Sequence, residues 1–529
     1  MKELDRSKLT LEQKFGLINV ANLNMGREAN FERALSLIRE HKLGGVYISQ
    51  YGYRAEEFVA KVREVADYPI LIFIDAEQGN KNYKIPQAIS LNAANSEEIA
   101  YSFGRISATA QRRMGCNVVC LPVVDNCQHN APCGGVTRSL GSDKEKIARI
   151  SLAIARGVRD GGMLSVAKHY PSAPHDYPYD SHMRENYSSI TEQELIDGPL
   201  YPYIKLMEEG LIDGTMVSHT RCVNIDPNRP ASLSKPLLDI YRKMGFNGFF
   251  ICDAMNMMGV VLKYGVVDSL GMAVAAGEDI PLPWTDNCVE EYNKIKDCYE
   301  RGIFTEEDLD RAVNHVLDAQ HKVAMLPPAP EILDEDIKNI ERLARECIAA
   351  VCEEGYTPAI DKNARHLFVM VVDQKLAEVE DFTPGPRDWY IPALVREKLA
   401  ETFPNSDLAI IPQFPGEAEN HQVFDKQTGY DDVVFMTSYT TAAFTGREHL
   451  TTRIVDLMDA LQSTDRIVAH LHFGNPFVAE DAPYVPRRII GYASRECVAN
   501  ALDILAGDAP AVGTLPFDLQ FKPKGYVFT

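Results

Sequence analysis

Eight short apolar runs, separated by segments of helical character, constrain the first 325 residues more than any other feature of this chain. They cover residues 16–21, 45–48, 69–74, 117–121, 164–167, 214–218, 248–252 and 279–283. Most are bounded by Gly, Pro or Asp. A strand covered on both faces reads this way, because neither face alternates with water. Between them lie amphipathic stretches such as 96–113, 143–160, 191–209 and 289–301. Strands alternating with helices form parallel sheets. Eight repeats predict a closed (β/α)₈ TIM barrel over residues 1–325, longer than the roughly 250 residues typical of such barrels and within their range.

Residues 326–334, LPPAPEILD, read as a proline-rich linker. A helix is predicted over 335–354. Apolar runs at 366–372, 407–412, 432–437, 466–470 and 488–492 then alternate with helical segments such as 455–462 and 495–505. They predict a second, smaller α/β domain with an open sheet over 335–529. Two domains are also what a length of 529 residues implies.

A net charge of −21 excludes the counterion release that drives binding to nucleic acid. No stretch approaches the roughly 18–20 apolar residues of a membrane span. The N-terminal MKELDRSKLT has no apolar core for a signal peptide. Eleven cysteines are scattered without a CxxC pair, which together with that N-terminus predicts a cytoplasmic protein. Cys116, Cys120, Cys127, His129 and Cys133 lie close in sequence, and zinc is conceivable there. The simpler reading is packed thiols, since Cys116 and Cys120 flank the strand-like NVV. No metal and no cofactor are expected.

In such a barrel the active site lies at the C-terminal ends of the strands. Asp75 follows the third run, Lys168 and His169 the fifth, His219 the sixth and Asp253 the seventh, with Asp125 a few residues beyond the fourth. One Asp at a strand end is often only a helix cap or a turn former. Ionisable groups at five of eight ends are harder to assign to chance. Asp253 carries the most weight. It follows the apolar FFIC, where a carboxylate is costly to desolvate without partners.

The segment AKHYPSAPHDYPYDSHM holds Lys168, His169, His175, Asp176, Asp180 and His182, and Pro171, Pro174 and Pro178 make it a loop. Asp180 lies two residues from His182, close enough in a turn to polarise the imidazole. Such a pair exchanges protons near neutral pH, since a free histidine has a pKa of about 6.5. A metal site is the rival reading, but HExxH spacing is absent and the prolines would break a helix.

AKHYP followed by DSH resembles the KH(F/I)PGHG run and Asp-Ser-His of glycoside hydrolase family 3, in its branch of β-N-acetylglucosaminidases. Further segments resemble family motifs in order. LTLEQKFG is similar to LSLEEKVG, LIFIDAEQG to IDxEGG, CLPVVDN to APVVDV and TRSLGSD to RSFGSD. MVSH precedes ASLSKPLLDIYRKMGFNGFFICDAMNM, which resembles the nucleophile motif. AAGEDIPLPW is similar to AGxDxxLxP, and LAGDAPAVGTLPFDL to GxxxPSGKLPxxL. The resemblance runs from about residue 9 to residue 519.

The resemblance implies a retaining exo-β-glycosidase that removes terminal β-N-acetylglucosamine, with a role in cell-wall recycling. Asp253 matches the nucleophile, and His182 polarised by Asp180 matches the acid/base pair. Asp75, Arg138, Lys168 and His169 match residues that hold the sugar, and Met216 and His219 match positions lining its pocket. Lys168 and Arg138 are expected to keep Asp253 ionised. The chain departs from the pattern at EQGNKNY for EGGRVxR, at PSAP for PGHG, and at CD for TD. These departures leave open a β-glucosidase or β-xylosidase, a β-N-acetylglucosaminide phosphorylase, and a non-catalytic sugar-binding relative. The first of these usually draws its acid from the second domain. The expected partner is a carbohydrate, and the oligomeric state is not legible.

Overall fold

The computed structural model describes residues 3–23, 28–49, 54–79, 82–128, 133–177, 179–373, 389–439 and 448–525. His129 and Pro178 lie outside the described residues, and the side chain of Cys133 is likewise not described. The chain divides into two compact units: Met1–Lys84 with Ser96–Ile340, and Ile85–Asn95 with Glu341–Thr529.

The first unit contains the strands β1 (Val20–Asn22), β2 (Gly45–Ser49), β3 (Leu71–Asp75), β4 (Val118–Val119), β5 (Leu164–Tyr170), β6 (Asn186–Ser188), β7 (Gly214–Val217), β8 (Thr220–Cys222) and β9 (Phe249–Cys252). Seven of them form one parallel sheet in the order β1-β2-β3-β4-β5-β7-β9. The short β6 and β8 pair with each other outside it. The eighth apolar run joins β9 through a parallel bridge between Ile251 and Ile280. Pro281 and Pro283 lack the N–H groups that a longer ladder needs. Among the described residues no ladder joins this run to β1, and side chains complete the barrel. Val20, Tyr47, Phe73, Val118, Val166, Met216, Ile251 and Ile280 meet in one core cluster, one residue from each run. Val316, Ala319 and Val323 of the helix Glu306–Met325 pack against them.

The first run differs from expectation. Thr10 and Gln13 form a capping box that starts a helix over Leu11–Leu17, so residues 16–17 are helical and the strand begins at Val20. Outside the sheet, the helices Glu97–Met114 and Lys144–Asp160 cross at two glycines. A Cβ on Gly104 would sit 2.1 Å from the Ile154 carbonyl oxygen, and one on Gly157 2.1 Å from that of Tyr101. Only glycine lets these backbones approach so closely.

The second unit holds a six-stranded sheet built from β10 (Ala349–Cys352), β11 (His366–Val372), β12 (Asp407–Pro412), β13 (Asp432–Tyr439), β14 (Ile467–Gly474) and β15 (Arg487–Gly491). Its order is β10-β15-β14-β13-β11-β12, parallel except for β10. The helix predicted over 335–354 covers Asp334–Glu346, and the apolar AAVC that follows pairs with β15 instead.

Among the described residues no single helix is long and apolar enough to cross a membrane, and no group of His, Cys, Asp and Glu has the arrangement of a metal site. Cys116, Cys120 and Cys127 are buried free thiols. Cys120 accepts a hydrogen bond from the Tyr47 hydroxyl at 3.0 Å.

Candidate active site

Strand ends bring the ionisable residues together as a barrel requires. At the end of β5 the pairing with β7 passes from Lys168↔Met216 to Tyr170↔Val217. His169 is therefore an extra residue, and a bulge of this kind re-aims side chains at a rim. Lys168, only 2% exposed, donates to Asp75 Oδ1 at 2.6 Å and lies 2.5 Å from Glu77 Oε1. Arg138 donates to both oxygens of Glu77 at 2.7 Å each, the fork geometry that favours arginine. It also reaches His169 Nε2 at 3.3 Å. Arginine can only donate, so Nε2 accepts and the ring proton sits on Nδ1, aimed at Asp125 Oδ2 at 2.8 Å. Asp125 Oδ1 also accepts from the His169 N–H at 2.8 Å and from the Ser172 hydroxyl at 3.0 Å.

The result is an alternating chain of charge, Asp75, Lys168, Glu77 and Arg138, which the His169 ring links to Asp125. Burial alone would raise the carboxyls of Glu77 and Asp125. For Glu77 the charges of Arg138 and Lys168 outweigh burial and hold it well below the usual range. For Asp125, His169 and Arg138 bring the pKa to about 2. Burial would lower the Lys168 ammonium, but Asp75 and Glu77 raise it. Glu77 and Lys168 stay charged because each is flanked by groups of the opposite sign.

Asp253 directly follows β9. Its backbone N–H donates to Val217 O at 2.8 Å, and its Oδ1 accepts from the Ala254 N–H at 2.8 Å. Burial pushes its carboxyl up. The imidazoles of His169 and His219, the Ala254 N–H and the Arg138 guanidinium outweigh that push, so its pKa lies below the ordinary value. Of the two cations expected to hold Asp253 ionised, Arg138 contributes to the lowering, after His169, His219 and the Ala254 N–H. Lys168 is directed instead at Asp75 and Glu77, which are within bonding distance.

His219 is 1% exposed, with Nδ1 at 2.8 Å from the Ser232 hydroxyl and Nε2 at 3.2 Å from Ala254 O. A carbonyl only accepts, so Nε2 carries the proton and Nδ1 accepts from Ser232. Burial lowers its pKa, which agrees with a neutral ring. His219 thus braces Ala254, whose N–H donates to Asp253. Met216 is 3% exposed and belongs to the barrel core cluster.

The loop after β5 carries the other half of the site. Asp180 Oδ1 accepts from the His182 backbone N–H at 2.9 Å and lies 2.7 Å from His182 Nδ1. This bond turns Nε2 away from the carboxylate. The loop is tied to the segment after Asp253, because the N–H groups of Met258 and Gly259 donate to His182 O and Ser181 O at 3.2 and 3.0 Å. It is tied again where β6 pairs with β8 just beyond His219. His175 and Asp176 serve the loop itself. His175 Nε2 lies 3.2 Å from the Thr220 hydroxyl, with its pKa lowered to about 4 by burial, and Asp176 accepts from the Ser189 N–H and hydroxyl.

Sequence reasoning did not single out Glu77, Ser172 or Ser232. For Glu77 the signal is its place two residues after Asp75, in the motif-like IDAEQG. The serines carry no comparable signal.

Comparisons with known proteins agree in direction. The family model described as "Glycosyl hydrolase family 3 N terminal domain" matches residues 10–319. A protein named Beta-hexosaminidase from Tolumonas auensis is 26% identical over 260 residues, covering 46% of this chain and 77% of its own length. One of the same name from Haemophilus influenzae is 27% identical over 239 residues, covering 43% and 67%. Among solved structures, a glycoside hydrolase family 3 beta-N-acetylglucosaminidase from Paenibacillus superposes with a TM-score of 0.78 at 24% identity, covering 97% of this chain and 100% of that one. A beta-glucoside phosphorylase superposes at 0.80 with 22% identity, covering 97% and 95%. These likenesses show the fold, a TIM barrel followed by an α/β sandwich domain.

Proposed function

The chain belongs to glycoside hydrolase family 3 and is a glycosidase, and from that premise we propose that it is a retaining exo-β-glycosidase that releases terminal β-N-acetylglucosamine. The Asp180–His182 pair carries this reading. It provides a proton donor on the barrel itself, held by a carboxylate at 2.7 Å, on a loop bonded to the one that follows Asp253. The names of the hexosaminidase relatives and of the Paenibacillus structure support the same sugar.

In this mechanism Asp253 attacks C1 as the glycosidic C1–O bond breaks, and His182 Nε2 gives its proton to the departing oxygen. A water oxygen then attacks C1, the bond to Asp253 breaks, and the same nitrogen takes the water proton. Asp180 stabilises the imidazolium present before the first transfer and after the second. A carboxyl depressed by its neighbours suits a nucleophile, because it is ionised when the substrate arrives. Asp75, Arg138, Lys168 and His169 hold the hydroxyls of the sugar. Met216 and His219 shape the pocket from behind, the latter through Ala254.

A second reading follows from the same histidine. After the first transfer the imidazole carries no net charge, so phosphate could replace water as acceptor without the repulsion a carboxylate would exert. The solved phosphorylase with this fold keeps that route open. The test is a panel of 4-nitrophenyl glycosides with and without phosphate. Turnover of the N-acetylglucosaminide alone supports the proposal, and turnover of the glucoside alone refutes the sugar assignment. Release of sugar 1-phosphate converts the reading to phosphorolysis.

A further inference from the structure

The barrel interior contains a column of aromatic rings whose outermost member is not consumed by the charge network. Phe249 meets Phe73 edge-on at 6.0 Å, Phe73 stacks on Tyr47 at 5.8 Å, and Tyr47 meets Trp284 edge-on at 4.9 Å. The first three are buried, with Tyr47 1% exposed, whereas Trp284 is half-buried. Trp284 follows the eighth run directly and so lies at the C-terminal rim, the end of the barrel where the charged residues gather. It stands where the related motif AGxDxxLxP has proline.

Two further observations fix its position. Its backbone is left-handed, with φ of 57°, a conformation a bulky residue adopts only where the surroundings impose it. Its carbonyl accepts from the Asn256 side chain at 3.2 Å, and Met255 N–H donates to Leu282 O at 2.9 Å. Both bonds come from the segment just after Asp253. The Trp284 backbone is therefore tied to the Asp253 loop, and its ring rests against Tyr47, whose hydroxyl is pushed up by burial and by the charge of Asp75.

A half-buried indole over a packed column, in contact with Tyr47 and on a backbone bonded to the segment after Asp253, has one apolar surface to offer a ligand. A β-linked pyranose presents axial C–H groups as a flat apolar face, which packs on an aromatic ring while its hydroxyls reach charged partners at the edge. We propose that Trp284 forms the apolar floor of the sugar pocket and packs against the C–H face of the terminal pyranose. The inference rests on the glycosidase reading of the same site, but not on which sugar is bound.

The chain has two tryptophans, Trp284 and Trp389, so Trp284→Phe leaves a single indole distant in sequence from the site. Emission of the full chain is titrated with N-acetylglucosamine and, separately, with glucose, and inhibition of aryl glycoside turnover is measured in the same solutions. The expected result is a saturable emission change at the concentration that inhibits, absent in Trp284→Phe. In parallel, Trp284→Ala should raise KM about tenfold or more, as deletion of a central aromatic anchor does, with kcat changed far less and Trp284→Phe recovering most of the loss. An inhibiting sugar that leaves emission unmoved, or a change that persists in Trp284→Phe, overturns the floor and leaves the sugar assignment standing. A Trp284-dependent response to glucose but not to N-acetylglucosamine supports the floor and overturns the sugar. No response and no inhibition by either sugar overturns both.

Discussion

Removal of the Glu77 carboxylate probes the part of the site that the sequence did not announce. Glu77 is 15% exposed and accepts from Arg138 twice at 2.7 Å while lying 2.5 Å from the Lys168 ammonium. Loss of one partner of a buried ion pair costs about 3–5 kcal/mol, because the other charge stays buried without compensation. Two features reduce that figure here. Arg138 is 36% exposed and regains hydration, and Lys168 keeps Asp75 at 2.6 Å. Asp75 is 46% exposed, so water screens its attraction and it replaces Glu77 only in part. Glu77→Ala is therefore expected at the low end, about 3 kcal/mol. For the unit Met1–Lys84 with Ser96–Ile340, at about 2.1 cal/mol/K of unfolding entropy per residue, that corresponds to a fall in the unfolding midpoint of roughly 4 °C. Glu77→Gln keeps the volume and an acceptor and should fall between. The pH dependence has a definite sign. A carboxyl whose folded-state pKa is depressed adds stability above its unfolded value, and that stability is lost as pH falls through the folded value. The gap between wild type and Glu77→Gln should thus be full at pH 7 and begin to close only below about pH 4. Calorimetric melts across a pH series read both quantities. A Glu77→Ala midpoint within about 1 °C of wild type at neutral pH, or a gap that closes between pH 7 and 5, refutes the reasoning.

His182→Ala should lose on the order of 10²–10⁴-fold on substrates with poor leaving groups and far less on activated aryl glycosides, which need little protonation. Equal losses on both would make His182 a binding residue. Gly259→Ala puts a Cβ 2.8 Å from Ser181 O and 3.0 Å from Arg184 O, so it should displace the His182 loop and reproduce that leaving-group selectivity in weaker form. Uniform kinetics in a folded variant would count against the coupling of the two loops. If Asp253 is the nucleophile, proton NMR in the first minutes should find the β anomer of the released sugar, and Asp253→Ala should abolish turnover. An initial α anomer would instead make Asp253 a base for water.

The central strands were legible because an apolar run bounded by Gly, Pro or Asp has few alternatives inside an α/β chain. Asp75, Lys168, His169 and Asp253 could be singled out as candidates because a barrel gathers its site at the ends of such runs. The ends of the barrel were less legible. In the first run a capping box at Thr10 and Gln13 overrode the apolar pattern and made its beginning helical. In the eighth, prolines reduced a predicted strand to a single bridge. The straps β6 and β8 were invisible because three-residue strands carry no periodicity. Glu77 was missed for another reason. Its importance comes from Arg138 and Lys168, which lie 61 and 91 residues away in sequence, a proximity that only the sheet order creates.

The same distinction bears on how the proposed acid is placed. A proton donor needs a fixed distance to the nucleophile, and long-range packing is a fragile way to set one. Here Asp180 orients His182 from two residues away, so the pair is determined locally. The loop that carries it is then fixed to the segment after Asp253 by main-chain bonds from Met258 and Gly259, which depend on backbone path and not on side-chain identity. Only Gly259 is constrained by this contact, because any Cβ there would meet the opposing carbonyls. Between β5 and Asp180, Ser172, His175 and Asp176 are held by contacts of their own, to Asp125, Thr220 and Ser189, and PSAP stands where the related motif has PGHG.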